Sequence, residues 1–208
     1  MTEKMHRVKF PNSLGGEKPA ASDVAALRVK LGFSSALADF LTTQNGFAFR
    51  DRDRAEPGWL DEEATVDEST PGPDLSELYA LEQIASANTG DQPFLGLATI
   101  FGSGYGGDEY AEVLVGALRG QIVNLNHEMC GGASTLREVG EGVDDFTDFT
   151  EEDFYGLEPA AQADILFGAA DLDLAWVIAP SLEEFLARCI YFCPTHGTGK
   201  TVPVAPRT

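Results

Sequence analysis

Apolar residues recur at helical spacing near both ends of this chain, and alternate with polar ones in its middle. Val24, Leu27 and Leu31 follow the Ser22-Asp23 pair, which reads as a helix cap, and Gly32 closes that helix. Ser34 or Ser35 then starts a second helix with Leu37, Phe40 and Leu41 on one face, and Asn45-Gly46 stops it. Phe94 to Phe101 is apolar and of strand length. Ala111, Val113, Val115 and Ala117 alternate with Tyr110, Glu112 and Leu114, a period of two. Arg119-Gly120 turns the chain and Gln121 to Asn126 returns as a partner, so the middle predicts an antiparallel meander.

Towards the C-terminal side, Glu158 to Ala170 reads as a helix carrying Ala161, Ile165 and Leu166, and Ala175 to Ile178 as a short strand. Ser181 with Glu184 forms a capping box. Leu182, Phe185, Leu186, Cys189, Ile190 and Cys193 line one face of a predicted last helix. Leu75 to Ala87 fits a short strand running into a helix, with helix and strand both open on pattern alone. The order of elements predicts an α+β fold, a mostly antiparallel sheet flanked by helices.

Between these elements the pattern breaks down. Residues 1–21 read as a flexible arm and 194–208 as a flexible tail, leaving a single domain over 22–193. Residues 50–74, punctuated by Pro57-Gly58 and Pro71-Gly72-Pro73, and residues 130–170 read as acidic insertions in that domain.

Charge narrows the partners. The chain of 208 residues has 34 acids against 14 bases, a formal charge of -20. Such a surface repels phosphate backbones and anionic headgroups, so neither nucleic acid nor membrane is expected, while a cationic protein would be drawn to it. No stretch approaches a membrane span, no apolar signal segment opens the chain, and three cysteines make no disulfide framework; a cytoplasmic protein is expected. Acids interleaved with aromatics read as an interface with an apolar centre and an anionic rim. The candidate partner-binding residues are Asp61, Glu62 and Glu63, then Asp144, Asp145, Asp148, Phe149, Glu151, Glu152, Asp153 and Tyr155.

Motifs that would imply catalysis fail on context. Gly102-Ser103-Gly104-Tyr105-Gly106-Gly107 spells a dinucleotide fingerprint, but strand alternation follows it where a helix is required, and Asp108-Glu109 would repel a phosphate. Gly197 to Thr201 echoes a phosphate loop, with Pro194 where its first glycine should stand. Cys189 and Cys193, with His196 or with His127 and Cys130, read as core packing rather than zinc ligands. A Cys-His pair using His127 has no surrounding signature. No catalytic, cofactor-binding or metal-binding residue is assigned, and no cofactor is expected.

Three segments resemble the SMI1/KNR4 (SUKH) superfamily. In LGFSSALADFLTTQNGF, residues 31–47, Phe33, Phe40-Leu41 and Asn45-Gly46 match the amino-terminal signature, with Ser34 replacing the usual proline. GLATIFGSGYGGDEYAEVL is similar to the family's strand, Gly-Asp turn, strand, with Gly107-Asp108 as the turn. WVIAPSLEEFLARC is close to its helical ending, where Phe185-Leu186 match. The segments stand in family order over about half the chain. The resemblance implies an α+β fold without shared catalytic residues, in which Phe33, Phe40, Asn45, Gly46, Gly107, Asp108, Phe185 and Leu186 are structural. For a bacterial member it implies an immunity protein that neutralises a polymorphic or contact-dependent toxin by direct binding, a basic nuclease being one such target. The alternative is a regulatory or scaffold role of the fungal kind, in cell-wall synthesis or signalling.

Overall fold

The computed structural model describes residues 3–8, 18–48, 60–61, 72–90, 93–104, 106–130, 139, 154–168 and 174–194. Helix α1, Ala21–Leu31, starts earlier than its expected cap: Ala20 is the N-cap, without a side-chain bond, and Asp23 N–H closes the first turn on Ala20 O at 2.9 Å. Ser22 and Asp23 therefore lie inside that turn, where Asp23 meets the positive end of the helix. Val24 and Leu31 are buried, and Gly32 ends the helix in a left-handed conformation with its N–H on Arg28 O. Helix α2, Ser35–Gln44, follows the expectation. Ser34 Oγ accepts from Leu37 N–H at 3.2 Å, Leu37 and Leu41 are buried, and Asn45 closes it at φ 43°. Asn45 Oδ1 also accepts from Leu81 N–H at 3.0 Å, which ties the end of α2 to α3, Leu81–Ala87.

The fold is α+β. Its main sheet is antiparallel and six-stranded, in the order β2 (Phe47–Ala48), β4 (Glu77–Leu78), β5 (Ala98–Ser103), β6 (Glu109–Val113), β7 (Ile122–Leu125), β8 (Ala175–Ala179). Further helices among the described residues are the single turn α4, His127–Cys130, then α5, Pro159–Gly168, and α6, Leu182–Arg188. Strand β5 starts four residues later than its apolar run, because 93–97 is a turn in which Leu97 and Ala98 N–H both bond Phe94 O. The glycine-rich stretch joins β5 to β6 as a hairpin turn: Gly104 N–H bonds Asp108 O at 2.9 Å and Gly107 takes φ 101°. That positive φ is open to glycine at no steric cost.

Period-two alternation in β6 sorts side chains onto two faces, but both faces are buried. Tyr110 packs on one side with Phe101, Ile122 and residues of α1, α2 and α6; Ala111 and Val113 pack on the other with Val123, Leu125 and α5. Helices cover the sheet on both sides.

A second antiparallel sheet, β3 (Leu60–Asp61), β1 (Glu3–Val8), β9 (Ile190–Pro194), corrects three expectations. Glu3–Val8 falls in the stretch read as an arm, yet it pairs with β9 from Glu3↔Pro194 to Arg7↔Ile190. Leu60–Asp61, inside the stretch read as an insertion loop, pairs with the end of β1. The last helix stops at Arg188; Cys189 leaves it with ψ 134°, and Ile190 and Cys193 belong to a strand rather than a helical face. Each of these pairings joins segments far apart in sequence, which local periodicity does not register. The structured elements thus reach beyond 22–193 at both ends. Pro73 and Leu75 bond to Ile190, both at 2.9 Å, which links the two sheets.

Two buried polar side chains hold this frame. Asn88 is 1% exposed; its Oδ1 accepts from Ile100 N–H and its Nδ2 donates to Ile100 O and Ile84 O. The side-chain amide stands in for the next rung of the ladder where β4 ends. Asn88→Ala leaves buried Ile100 groups unmatched, and a loss of about 2–4 kcal/mol is expected from urea unfolding. Glu112, 4% exposed, accepts from Ser34 N–H at 3.2 Å. Burial raises its carboxyl pKa, against the lowering effect of the Ser34 bonds and of Arg28 and Arg119. A carboxyl raised in the folded state gives its full stabilisation below the unfolded pKa and loses it as pH rises through the folded one. Stability should therefore fall as pH rises from the ordinary glutamate range through the raised Glu112 one, and Glu112→Gln should flatten that fall in thermal melts. An unchanged slope would mean that Arg28 and Arg119 compensate the charge.

Candidate functional site

One row of side chains crosses the main sheet at the level of the Gly-Asp turn. Gly102 pairs with Tyr110, Tyr110 with Asn124, and Asn124 with Trp176 on the edge strand β8. Phe185 of α6 packs on Tyr110 at 5.0 Å, and α6 then ends at Arg188. The outer half of the row is left as the floor of an open groove of about 600 Å³. Its walls are Gly72, Pro73 and Asp74 on one side, with Asp108, Ile178, Arg188 and Ile190 around them. Trp176 is 41% exposed there, a large apolar group left uncovered.

The polar groups of the groove form two sets. Tyr110 O–H donates to Asp74, 2.6 Å to the carbonyl and 2.9 Å to Oδ1. Burial, and then the Asp74 carboxylate, push the phenol pKa far up, so Tyr110 serves as a fixed donor. Asp108 Oδ2 accepts from Asn124 Nδ2 at 2.7 Å, and its Oδ1 from His127 N–H at 3.1 Å and against His127 Nδ1 at 2.7 Å. Burial pulls the Asp108 pKa up, but the bonds from His127 and Asn124 outweigh it and hold the carboxylate below its ordinary range. Arg188 Nη1 donates to Ile178 O at 3.0 Å, satisfying an outward carbonyl of the edge strand. One atom is left over. Asn124 is 6% exposed, and its Oδ1 has no hydrogen-bond donor among the described residues.

Two carboxylates and an indole face suit a cation. The arrangement does not suit thiol chemistry. Cys130 lies one turn from His127 on α4, but burial, then Glu109 and Asp108, raise its pKa to about 12, so the thiolate needed for attack is scarce at neutral pH. Cys189 is fully buried with its Sγ donating to Phe185 O at 3.2 Å. Among the described residues no group of three or more His, Cys, Asp or Glu is arranged to hold a metal, and no helix is long and apolar enough to cross a membrane.

Of the residues expected at the interface, Asp61 and Tyr155 are among those described. Asp61 sits in β3 of the second sheet. Tyr155 is 43% exposed and stands edge-on to buried Phe154 at 5.6 Å. Glu62, Glu63, Asp144, Asp145, Asp148, Phe149, Glu151, Glu152 and Asp153 lie outside the described residues. Among the residues carrying the resemblance, Phe33 and Phe185 are buried, and Phe40 and Leu186 pack partly buried against the same cluster. Asp108, expected only as a turn residue, is a wall of the groove. Asp74, Asn124, Trp176 and Arg188 were not singled out by sequence pattern; an indole in a short strand, Ala175–Ala179, was the one available signal. No protein-family model, curated protein or solved structure matches the chain.

Proposed function

We propose that this protein is a non-enzymatic binding module, an immunity protein that neutralises a cognate polymorphic or contact-dependent toxin by direct contact in the cytoplasm. A basic nuclease domain is the partner class that fits best, because a cleft built for a polyanion also accepts an acidic protein surface. The groove carries this reading: an uncovered aromatic anchor, Trp176, beside Asp74 and Asp108, in a chain of net charge -20. Interfaces draw their energy from such aromatics and their association rate from surrounding charge. The resemblance adds support, since all three of its segments contribute to one core cluster: Phe33, Leu37 and Leu41, then Phe101 and Tyr110, then Ala179, Leu182 and Phe185.

The test is co-purification with the toxin encoded beside this gene. Capture is expected, with an association rate that drops steeply as salt rises. Failure to capture or to protect cells from that toxin would overturn the immunity reading, and salt-independent association would remove its electrostatic part.

A further inference from the structure

We propose that β8 is a docking edge, which takes an extended basic segment of the protein partner as a further strand of the main sheet. This rests on the binding-module reading and adds to it the manner of contact. β8 ends the strand order, with β7 on one side and no strand on the other among the described residues. Its register fixes which backbone groups turn outward. Asn126 N–H bonds Leu174 O at 2.9 Å, so in an antiparallel ladder the next bonded pair is Asn124↔Trp176, two residues on. Ala175 and Val177 fall at the alternate positions, and their N–H and C=O groups point away from β7. No strand takes up these groups among the described residues.

Proteins guard such edges with charges, prolines or bulges. Here the guard covers one end only: Arg188 Nη1 takes Ile178 O at 3.0 Å, where the register also shifts between Ile122 and Val123. Exposure then says what shape fits. Trp176 stands opposite Asn124 on the Tyr110 side of the sheet, and Val177 opposite Val123 on the α5 side, yet each is 41% exposed. A body resting on one face would cover one of them; a strand laid along the edge borders both. The groove runs beside this edge, with Trp176, Val177 and Ile178 along one wall and Gly72 and Pro73 on the other. Charge selects the occupant. β8 lies in the stretch 138–187, which holds fourteen acids and no lysine or arginine, in a chain of net charge -20. A second copy would set the same charge against it, whereas a basic segment is drawn in.

The experiment follows amide hydrogen exchange and ¹H–¹⁵N shifts of the full chain, alone and with acetyl-Lys-Val-Thr-Val-Lys-amide. In the free chain the Ala175 and Val177 amides are expected to exchange about 100-fold faster than that of Trp176, which faces β7. The lysine peptide is expected to bind in the millimolar range, shifting and protecting those two amides, and acetyl-Glu-Val-Thr-Val-Glu-amide about tenfold more weakly. Val177→Pro removes an outward N–H and spares the bonds to β7, so it should stay folded and lose the peptide shifts. Should that variant not fold, a lysine peptide N-methylated at Thr and the following Val decides the matter without altering the protein. It lacks a donor whichever way it faces, and should bind about tenfold more weakly than its parent. Four results would overturn the proposal: Ala175 and Val177 as protected as Trp176 in the free chain, whether by this chain or a second copy; no shift with the lysine peptide; equal binding of the lysine and glutamate peptides; or full affinity after N-methylation. The two readings fail separately. Toxin capture undiminished by Val177→Pro would sink the docking edge alone, whereas peptide pairing at β8 without toxin capture would sink the immunity role alone.

Discussion

Phe185→Ala should lose about 3–5 kcal/mol of folding free energy. The ring is 0% exposed, edge-on to Phe101 at 5.5 Å and to Tyr110 at 5.0 Å. It is the contact through which α6 meets the centre of the sheet. Removing it leaves a cavity lined by two aromatics that cannot close over it without leaving their own partners, and forfeits about 0.5–1.5 kcal/mol for each aromatic pair within that total. Because a domain is stable by only about 5–15 kcal/mol, that loss removes a large share of the total. Urea unfolding followed by circular dichroism measures the loss; a change below about 1 kcal/mol would show that the three segments are not held through this ring. The same variant should weaken partner capture, because Tyr110 beneath it sets the floor of the groove.

Gly46→Ala is expected to cost about 2–5 kcal/mol, more than a typical surface change. Gly46 takes φ +73°, and a Cβ there would stand 2.4 Å from Ala80 N, 2.6 Å from Leu78 O and 2.6 Å from Tyr79 C. All three are backbone atoms of the segment joining β4 to α3, so no side chain can swing away to relieve the clash. The left-handed conformation contributes about 1–2 kcal/mol of the cost and the overpacking about 1–3 kcal/mol. Urea midpoints measure it, with Ala38→Gly, a partly buried helical position, as the scale of an ordinary exchange between these residues. If Gly46→Ala proves as mild as a helix-interior glycine change, about 1 kcal/mol, then β2 does not pack against that segment in solution.

Sequence reasoning succeeded where the deciding forces are local. Ser34 caps α2 and Asn45-Gly46 stops it because each acts on backbone groups within four residues. Ser181 accepts from Glu184 N–H for the same reason, at 3.3 Å. The glycine-rich stretch reads as a hairpin turn because a strand, not a helix, follows it.

The last helix shows where local pattern misleads. Leu182, Phe185 and Cys189 keep helical spacing into the core, but Ile190 onward obeys a partner at the other end of the chain, β1, and helix gives way to strand. Asn88 was invisible for a related reason: an asparagine after a helix looks like a stop, and only the ladder beside it makes it a rung.

From its order of residues alone, then, this chain determined its α+β class, the stop of α1, both ends of α2, the start of α6, the central meander and a strongly negative charge, since these follow from spacing and composition. Tertiary structure alone decided which side chains meet. A register between β6, β7 and β8 brings Tyr110, Asn124 and Trp176 into one row, and the link from Pro73 and Leu75 to Ile190 sets Asp74 above it. Such a row exists only once strands distant in sequence have paired, and shifting any of them by one residue would turn its side chains to the opposite face.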